Sequence, residues 1–307
     1  MSTLILYHDD CQAHNPGTHH AESPQRQRAV LSGVAGIKGS QLLPAPLASL
    51  EQLERVHDPQ YWQLVLDADP AEGRVALDPD TFLSQGSINA ALRASGAACF
   101  AIDQLFEGKA KNAFCATRPP GHHAESGLAM GFCLTNHVAI AARHALAVHP
   151  AKKVAILDFD VHHGNGTQAI FEQSPEVLYI SSHQMPLYPG TGYATETGCG
   201  NILNLPLAAG TGSRAFRRAW TNEGLPVLQA FEPDLMIISA GFDAHEKDPL
   251  GQLELQDGDF SWITRAICEV AEQCCDSRVI SVLEGGYNLD ALAASSQAHA
   301  KALAATH

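Results

Sequence analysis

The sequence contains no apolar run approaching the roughly 20 residues that cross a bilayer, so no membrane-spanning helix is expected. Its opening, residues 1–11, has no basic region, and the apolar Leu4–Tyr7 gives way at once to His8, Asp9 and Asp10. An export signal is therefore not expected. Basic residues are scarce: 19 Lys and Arg stand against 33 Asp and Glu, a formal net charge of −14. A nucleic-acid binder needs a basic footprint to displace counterions, so neither nucleic acid nor a membrane is an expected partner. The acidity suits cationic small molecules or basic peptides. No CxxC pair occurs among the eight cysteines, which excludes zinc-ribbon and thioredoxin-type sites. Free thiols in a reducing cytoplasm are the expectation. Internal repeats, charge blocks and low-complexity linkers are also missing.

What is present is an ordinary globular mixture, 45% hydrophobic and 17% charged. The 307 residues suffice for two domains or one large α/β domain. Histidine stands out: there are 16, including the adjacent pairs His19-His20, His122-His123 and His162-His163. Short aliphatic runs at 4–7, 113–116, 154–157, 177–180, 235–238 and 279–283 read as buried strands. Helical spacing of Ala and Leu marks 87–106, 134–148, 213–230, 259–273 and a terminal helix over 291–306. This alternation predicts an α/β fold: an open, mostly parallel sheet with helices on both faces. In such a sheet ligands bind outside the carboxyl ends of the strands. Five runs end in polar chemistry there, leading to His122-His123, Asp158–His163, Ser181–His183, Ser239–Asp243 and Glu284–Tyr287.

Asp158, Asp160 and His162 are spaced two apart, which in an extended segment puts all three side chains on one face. Carboxylates and an imidazole on one face suit a divalent metal. A further ligand has to come from another strand end, and Asp243 is the natural candidate. Two Asp and one His leave a fourth position for water or substrate, as in catalytic zinc sites. A single Asp at a strand end is commonly a cap or turn residue. Several ionisable groups on one face, however, are costly unless a cation neutralises them. His122 and His123 follow Arg118-Pro119-Pro120-Gly121, a loop whose prolines block helix. Adjacent imidazoles there suit proton transfer. Tyr287, after two glycines, suits donation to a developing oxyanion.

The strings RPPGHHA (118–124), GFC (131–133), LDFDVHHGNGTQ (157–168), PGTG (189–192), SAGFDAH (239–245) and EGGYN (284–288) resemble the zinc-dependent histone deacetylase family of the arginase/deacetylase fold. HHAESPQRQRAV (19–30) is similar to that family's opening segment, so the likeness covers nearly the whole chain. It implies one deacetylase domain over 1–307. Asn165 and DPLG (248–251) point to the class II and bacterial histone-deacetylase-like amidohydrolases.

The resemblance implies zinc held by Asp160, His162 and Asp243, with Asp158 behind His122. It implies a structural potassium ion near Asp158 and Ser181, with Asp160, His162 and Ser182 in the same region. It makes His123 the general base and then acid, alone or with His122, and Tyr287 the oxyanion donor. It puts Gly131, Phe132 and Tyr188 along an acyl-lysine tunnel, Leu250 and Asp80 at its rim, and Arg26 in an inner pocket where acetate leaves. Asn165, where class I enzymes have Asp, orients His123 but does not raise its basicity as a carboxylate would, so His123 is expected to titrate lower.

The implied substrate is an acyl-lysine peptide or protein; an acetylated polyamine is the alternative. Leu250 in place of an acidic gatekeeper favours acyl-lysine. An arginase-like two-manganese site needs more bridging carboxylates than these strings offer. A non-catalytic acyl-lysine binder would have no use for His122, His123 and Tyr287 together. Self-association stays open.

Overall fold

The computed structural model describes residues 2–305. Ten strands occur in chain order: β1 (Thr3–Tyr7), β2 (Ser40–Pro44), β3 (Arg74–Ala76), β4 (Phe82–Ser84), β5 (Asn112–Cys115), β6 (Val154–Asp158), β7 (Val177–Gln184), β8 (Ile202–Leu207), β9 (Leu235–Ala240) and β10 (Val279–Leu283). Eight form one open sheet in the order β2-β1-β5-β10-β9-β6-β7-β8. Every pairing in it is parallel, so all carboxyl ends lie on one edge. β3 and β4 make a separate antiparallel hairpin.

Side chains alternate across the sheet into two cores. Leu4, Leu6, Cys115, Ile156, Ile237 and Val282 enter one, covered by the helices Ser87–Phe106 and His137–Val148. Ile5, Phe114, Leu157, Ile238 and Leu283 enter the other, covered by Pro24–Val34, Asp257–Cys274 and Leu289–Ala305. With both faces covered, interior strands are apolar at most positions. Each fully buried Ile, Leu or Val adds about 1.5–3 kcal/mol of burial free energy.

All six strands read from the sequence are present. Neither the β3–β4 hairpin nor the two remaining strands of the large sheet, β2 and β8, were expected. β2 and β8 both lie at sheet edges, and their runs are broken by Pro44, or by Asn204 and Pro206. Proline is tolerated at an edge, where no neighbour needs its N–H. The helix expected over 213–230 is interrupted. Ser213–Ala219 passes into a π turn at Trp220–Gly224, where Leu225 N–H donates to Trp220 O, before Leu225–Phe231 resumes. Pro226, which has no N–H to donate, sits at that junction. The helix expected from 134 begins at His137, because Asn136 caps it through Ala139 N–H at 3.0 Å. The terminal helix is described to Ala305; residue 306 of that expectation lies outside the described residues. No helix among the described residues is long and apolar enough to cross a membrane.

Candidate active site

The site lies where β5, β6, β9 and β10 release the chain. β6 ends at Asp158, and the segment after it bends. Leu157, Phe159 and Val161 nevertheless all enter the second core, as two-residue alternation requires. Asp158 Oδ2 turns to His122 Nδ1 and to the Tyr179 hydroxyl, both at 2.9 Å. Asp160, His162 and Asp243 do converge, with ligand atoms within 4.8 Å of one another and all three buried. His162 Nδ1 lies 3.1 Å from both Asp160 Oδ1 and Asp243 Oδ2. Backbone donors orient the carboxylates: Gly285 N–H to Asp160 Oδ2 at 2.8 Å, and Val161 N–H to Asp243 Oδ1 at 2.9 Å. A Cβ at Gly285 would stand 2.0 Å from Asp243 Oδ2, so only glycine fits there.

The electrostatics of this trio call for positive charge. Burial, then the neighbouring Asp160 carboxylate, push Asp243 up to about 7. Burial alone would lower His162, but Asp160 and Asp243 outweigh it and raise it to about 10. One imidazole nitrogen and two carboxylates are a donor set that suits zinc.

His122 and His123 stack obliquely, with ring centroids 4.1 Å apart. Their loop is held by Glu284, whose Oε2 accepts from Gly121 N–H at 2.6 Å and His122 N–H at 3.1 Å. Burial would lower His122, but Asp158, Asp160 and Glu284 raise it to about 10. His123 goes the other way: burial, then the charges on His122 and His162, drive it well below the usual imidazole range. Its Nδ1 meets Asn165 Oδ1 at 2.9 Å.

These groups open onto a cavity of about 270 Å³ lined by Asp80, His123, Gly131, Phe132, His162, Leu187, Tyr188, Leu250 and Tyr287. Gly131 has φ +55, and a Cβ there would meet the His123 ring at 2.4 Å. Asp80 Oδ1 accepts from Gly131 N–H at 3.2 Å. Asp248 ties two walls together: Oδ2 accepts from Tyr287 N–H at 2.6 Å, and Oδ1 accepts from Leu250 N–H at 3.0 Å. Arg26 is not among the lining residues. It is buried behind Tyr287, 4.8 Å from the ring centroid, and donates to Gly286 O at 2.6 Å, to Glu284 O, and to Glu22 Oε1 at 3.2 Å.

Asp158 and Ser181 are register partners on β6 and β7. Ser181 Oγ lies 2.9 Å from His183 Nδ1, whereas Ser182 Oγ accepts from Trp220 Nε1 at 3.0 Å on the opposite face of β7. Leu187, Tyr179 and the roles of Glu284 and Asp248 escaped the sequence reading. Leu187 adjoins Tyr188, and Glu284 and Asp248 sit inside strings already singled out. Tyr179 carries no local signal, because it looks like one more buried strand residue.

A second cluster, Asp103, His144 and His149, lies outside this site. Both His Nε2 atoms lie 2.7 Å from Asp103 Oδ1. Arg55 Nη1 donates to His144 Nδ1 at 2.8 Å, which leaves the proton of that ring on Nε2, facing Asp103. It is a hydrogen-bonded cluster with a guanidinium against it, unsuited to a cation.

Residues 20–303 match the model of the histone deacetylase domain family. The chain is 36% identical to a type-2 histone deacetylase 2 of Dictyostelium discoideum over 94% of its own length, and spans 20% of that protein. It is 40% identical to a histone deacetylase-like amidohydrolase of Pseudomonas aeruginosa, covering 88% of this chain and 73% of the relative. The crystal structure of the HDA15 HD domain superposes with a TM-score of 0.91 at 38% identity, covering 98% of this chain and 90% of that one.

Proposed function

The chain belongs to the histone deacetylase family, and from that premise we propose that it is a zinc-dependent amidohydrolase removing acetyl groups from lysine side chains of peptides or proteins. The observation that carries this reading is the buried Asp160–His162–Asp243 trio at an apolar-walled cavity that His123 and Tyr287 also line. We take the domain to act as one unit over 1–307, in the cytoplasm, where its eight cysteines would stay reduced.

Asp160, His162 and Asp243 would hold the zinc, which when bound supplies a Lewis acid for the acyl carbonyl and acidifies water. His123 Nδ1–H donates to Asn165, so Nε2 holds the lone pair that takes a proton from the attacking water. Burial, which lowers the basicity of His123, favours the free lone pair. The Tyr287 hydroxyl donates to the oxyanion as it forms. Burial keeps that phenol protonated, well above its usual range. When the C–N bond breaks, the proton held at His123 Nε2 passes to the departing amine, with His122 beside it. Phe132, Tyr188 and Leu250 give the cavity apolar walls suited to a neutral acyl-lysine stem. Asp158 and Ser181 offer oxygen donors that suit a structural potassium ion, and no step uses it.

Acetylpolyamine hydrolysis uses the same groups, so the test is a comparison of kcat/KM on acetyl-lysine peptides and N-acetylputrescine with zinc-reconstituted protein. A higher value on the peptide supports the lysine reading. A higher value on N-acetylputrescine replaces it with the polyamine one.

A further inference from the structure

Asn165 is an amide where a carboxylate would have two equivalent oxygens, so its orientation matters. Oδ1 faces His123 Nδ1 at 2.9 Å, and Nδ2 faces the other way. Three acceptors surround Nδ2: Glu125 Oε1 at 3.1 Å, Met130 Sδ at 3.3 Å and His123 O at 3.4 Å. Glu125 is the nearest and the only carboxylate. Reversing the amide would aim its oxygen at these three acceptors and its NH2 at His123 Nδ1. That nitrogen would then have to accept, and the imidazole proton would move to Nε2.

We propose that Glu125 is a positioning residue: by accepting from Asn165 Nδ2 it fixes which way the amide faces, and so which nitrogen of His123 carries the proton. The backbone is built to hold it there. Glu125 N–H donates to Leu128 O at 3.0 Å, and the turn is pinned where Asp58 N–H donates to Ser126 O at 2.9 Å. Glu125 is half-buried and meets Asn165 from outside the cavity, since it is not among the lining residues. An aspartate at position 165 has two equivalent oxygens and no amide to orient, so Glu125 could not act on it in this way.

The kinetic part of the test rests on the reading of His123 as proton acceptor; the spectroscopic part does not. Two-bond 1H–15N correlation spectra of the full chain report the His123 tautomer directly. The expected result is Nδ1–H in the wild type and in Glu125→Gln, whose amide oxygen still accepts, and a mixture with Nε2–H in Glu125→Ala. On acetyl-lysine peptide, Glu125→Ala should lower kcat by about 10–100-fold, the usual scale for an outer partner of a site group, with KM and zinc content unchanged. Glu125→Gln should recover most of that loss. In an Asn165→Asp background, Glu125→Ala should cost nothing further. A wild-type ring protonated at Nε2 would overturn the proposal. So would an unchanged tautomer in Glu125→Ala, or an equal loss in the Asn165→Asp background. If no acyl substrate is turned over at all, the deacetylase reading fails while the tautomer spectra still decide the role of Glu125.

Discussion

At the scale of single residues, Tyr287 and Asp160 make separable demands. Tyr287 lines the cavity while its backbone N–H is fixed by Asp248. Removing one oxyanion donor typically costs about 10²–10³ in kcat, so Tyr287→Phe should lose that much on acetyl-lysine peptide while binding zinc normally. Undiminished turnover would remove Tyr287 from the mechanism. Asp160→Ala takes away a carboxylate that faces both His162 and Gly285 N–H. Zinc content measured by elemental analysis should fall to background together with activity. Most of these residues were legible in the sequence because the family's short strings carry them. Asp158 was legible by resemblance as the partner of His122, whereas spacing alone could not separate it from the ligand trio. Glu125 was invisible as a functional group. Its meaning depends on an amide in contact with it 40 positions along the chain.

At the scale of elements, the sheet explains why some strands could be read and others not. Interior strands are buried on both faces and announce themselves as continuous aliphatic runs. β2 and β8 are edges, with polar residues and prolines that blur the pattern. The interior runs also carry the packing. Ile156 is fully buried in the core between the sheet and the helices Ser87–Phe106 and His137–Val148. Ile156→Ala should destabilise the protein by about 2–5 kcal/mol. In urea unfolding that appears as a lower midpoint at unchanged slope; an unshifted midpoint would mean that the core collapses around the deletion.

At the scale of the whole molecule, the segment before the first long helix is tied to the histidine loop by a buried charge cluster. Arg118 Nε donates to Glu22 Oε1 at 2.6 Å, and its Nη1 donates to His14 O at 2.7 Å. Arg26 also reaches Glu22. Burial opposes ionisation of Glu22, but Arg118 and His14 outweigh it and hold the carboxyl well below the ordinary range. The folded value is depressed, so this stabilisation is present above the ordinary carboxylate range of about pH 4 and is lost as pH falls toward the folded value. Glu22→Gln should therefore cost about 3–5 kcal/mol at neutral pH. It should also flatten the acid limb of a stability–pH curve; a parallel curve would contradict the assignment. This long-range cluster could not be foreseen, because Glu22 and Arg118 lie 96 positions apart. Parallel α/β architecture was foreseeable, since alternation of buried runs with helices has few other solutions.

The proposed mechanism depends on one metal ion serving the trio of Asp160, His162 and Asp243. Titrating zinc into metal-free protein while following acetate release from an acetyl-lysine peptide tests this directly. Activity should rise in proportion to added zinc and level off at one ion per chain. Activity that needs two ions per chain, or a flat response with zinc bound, would contradict it.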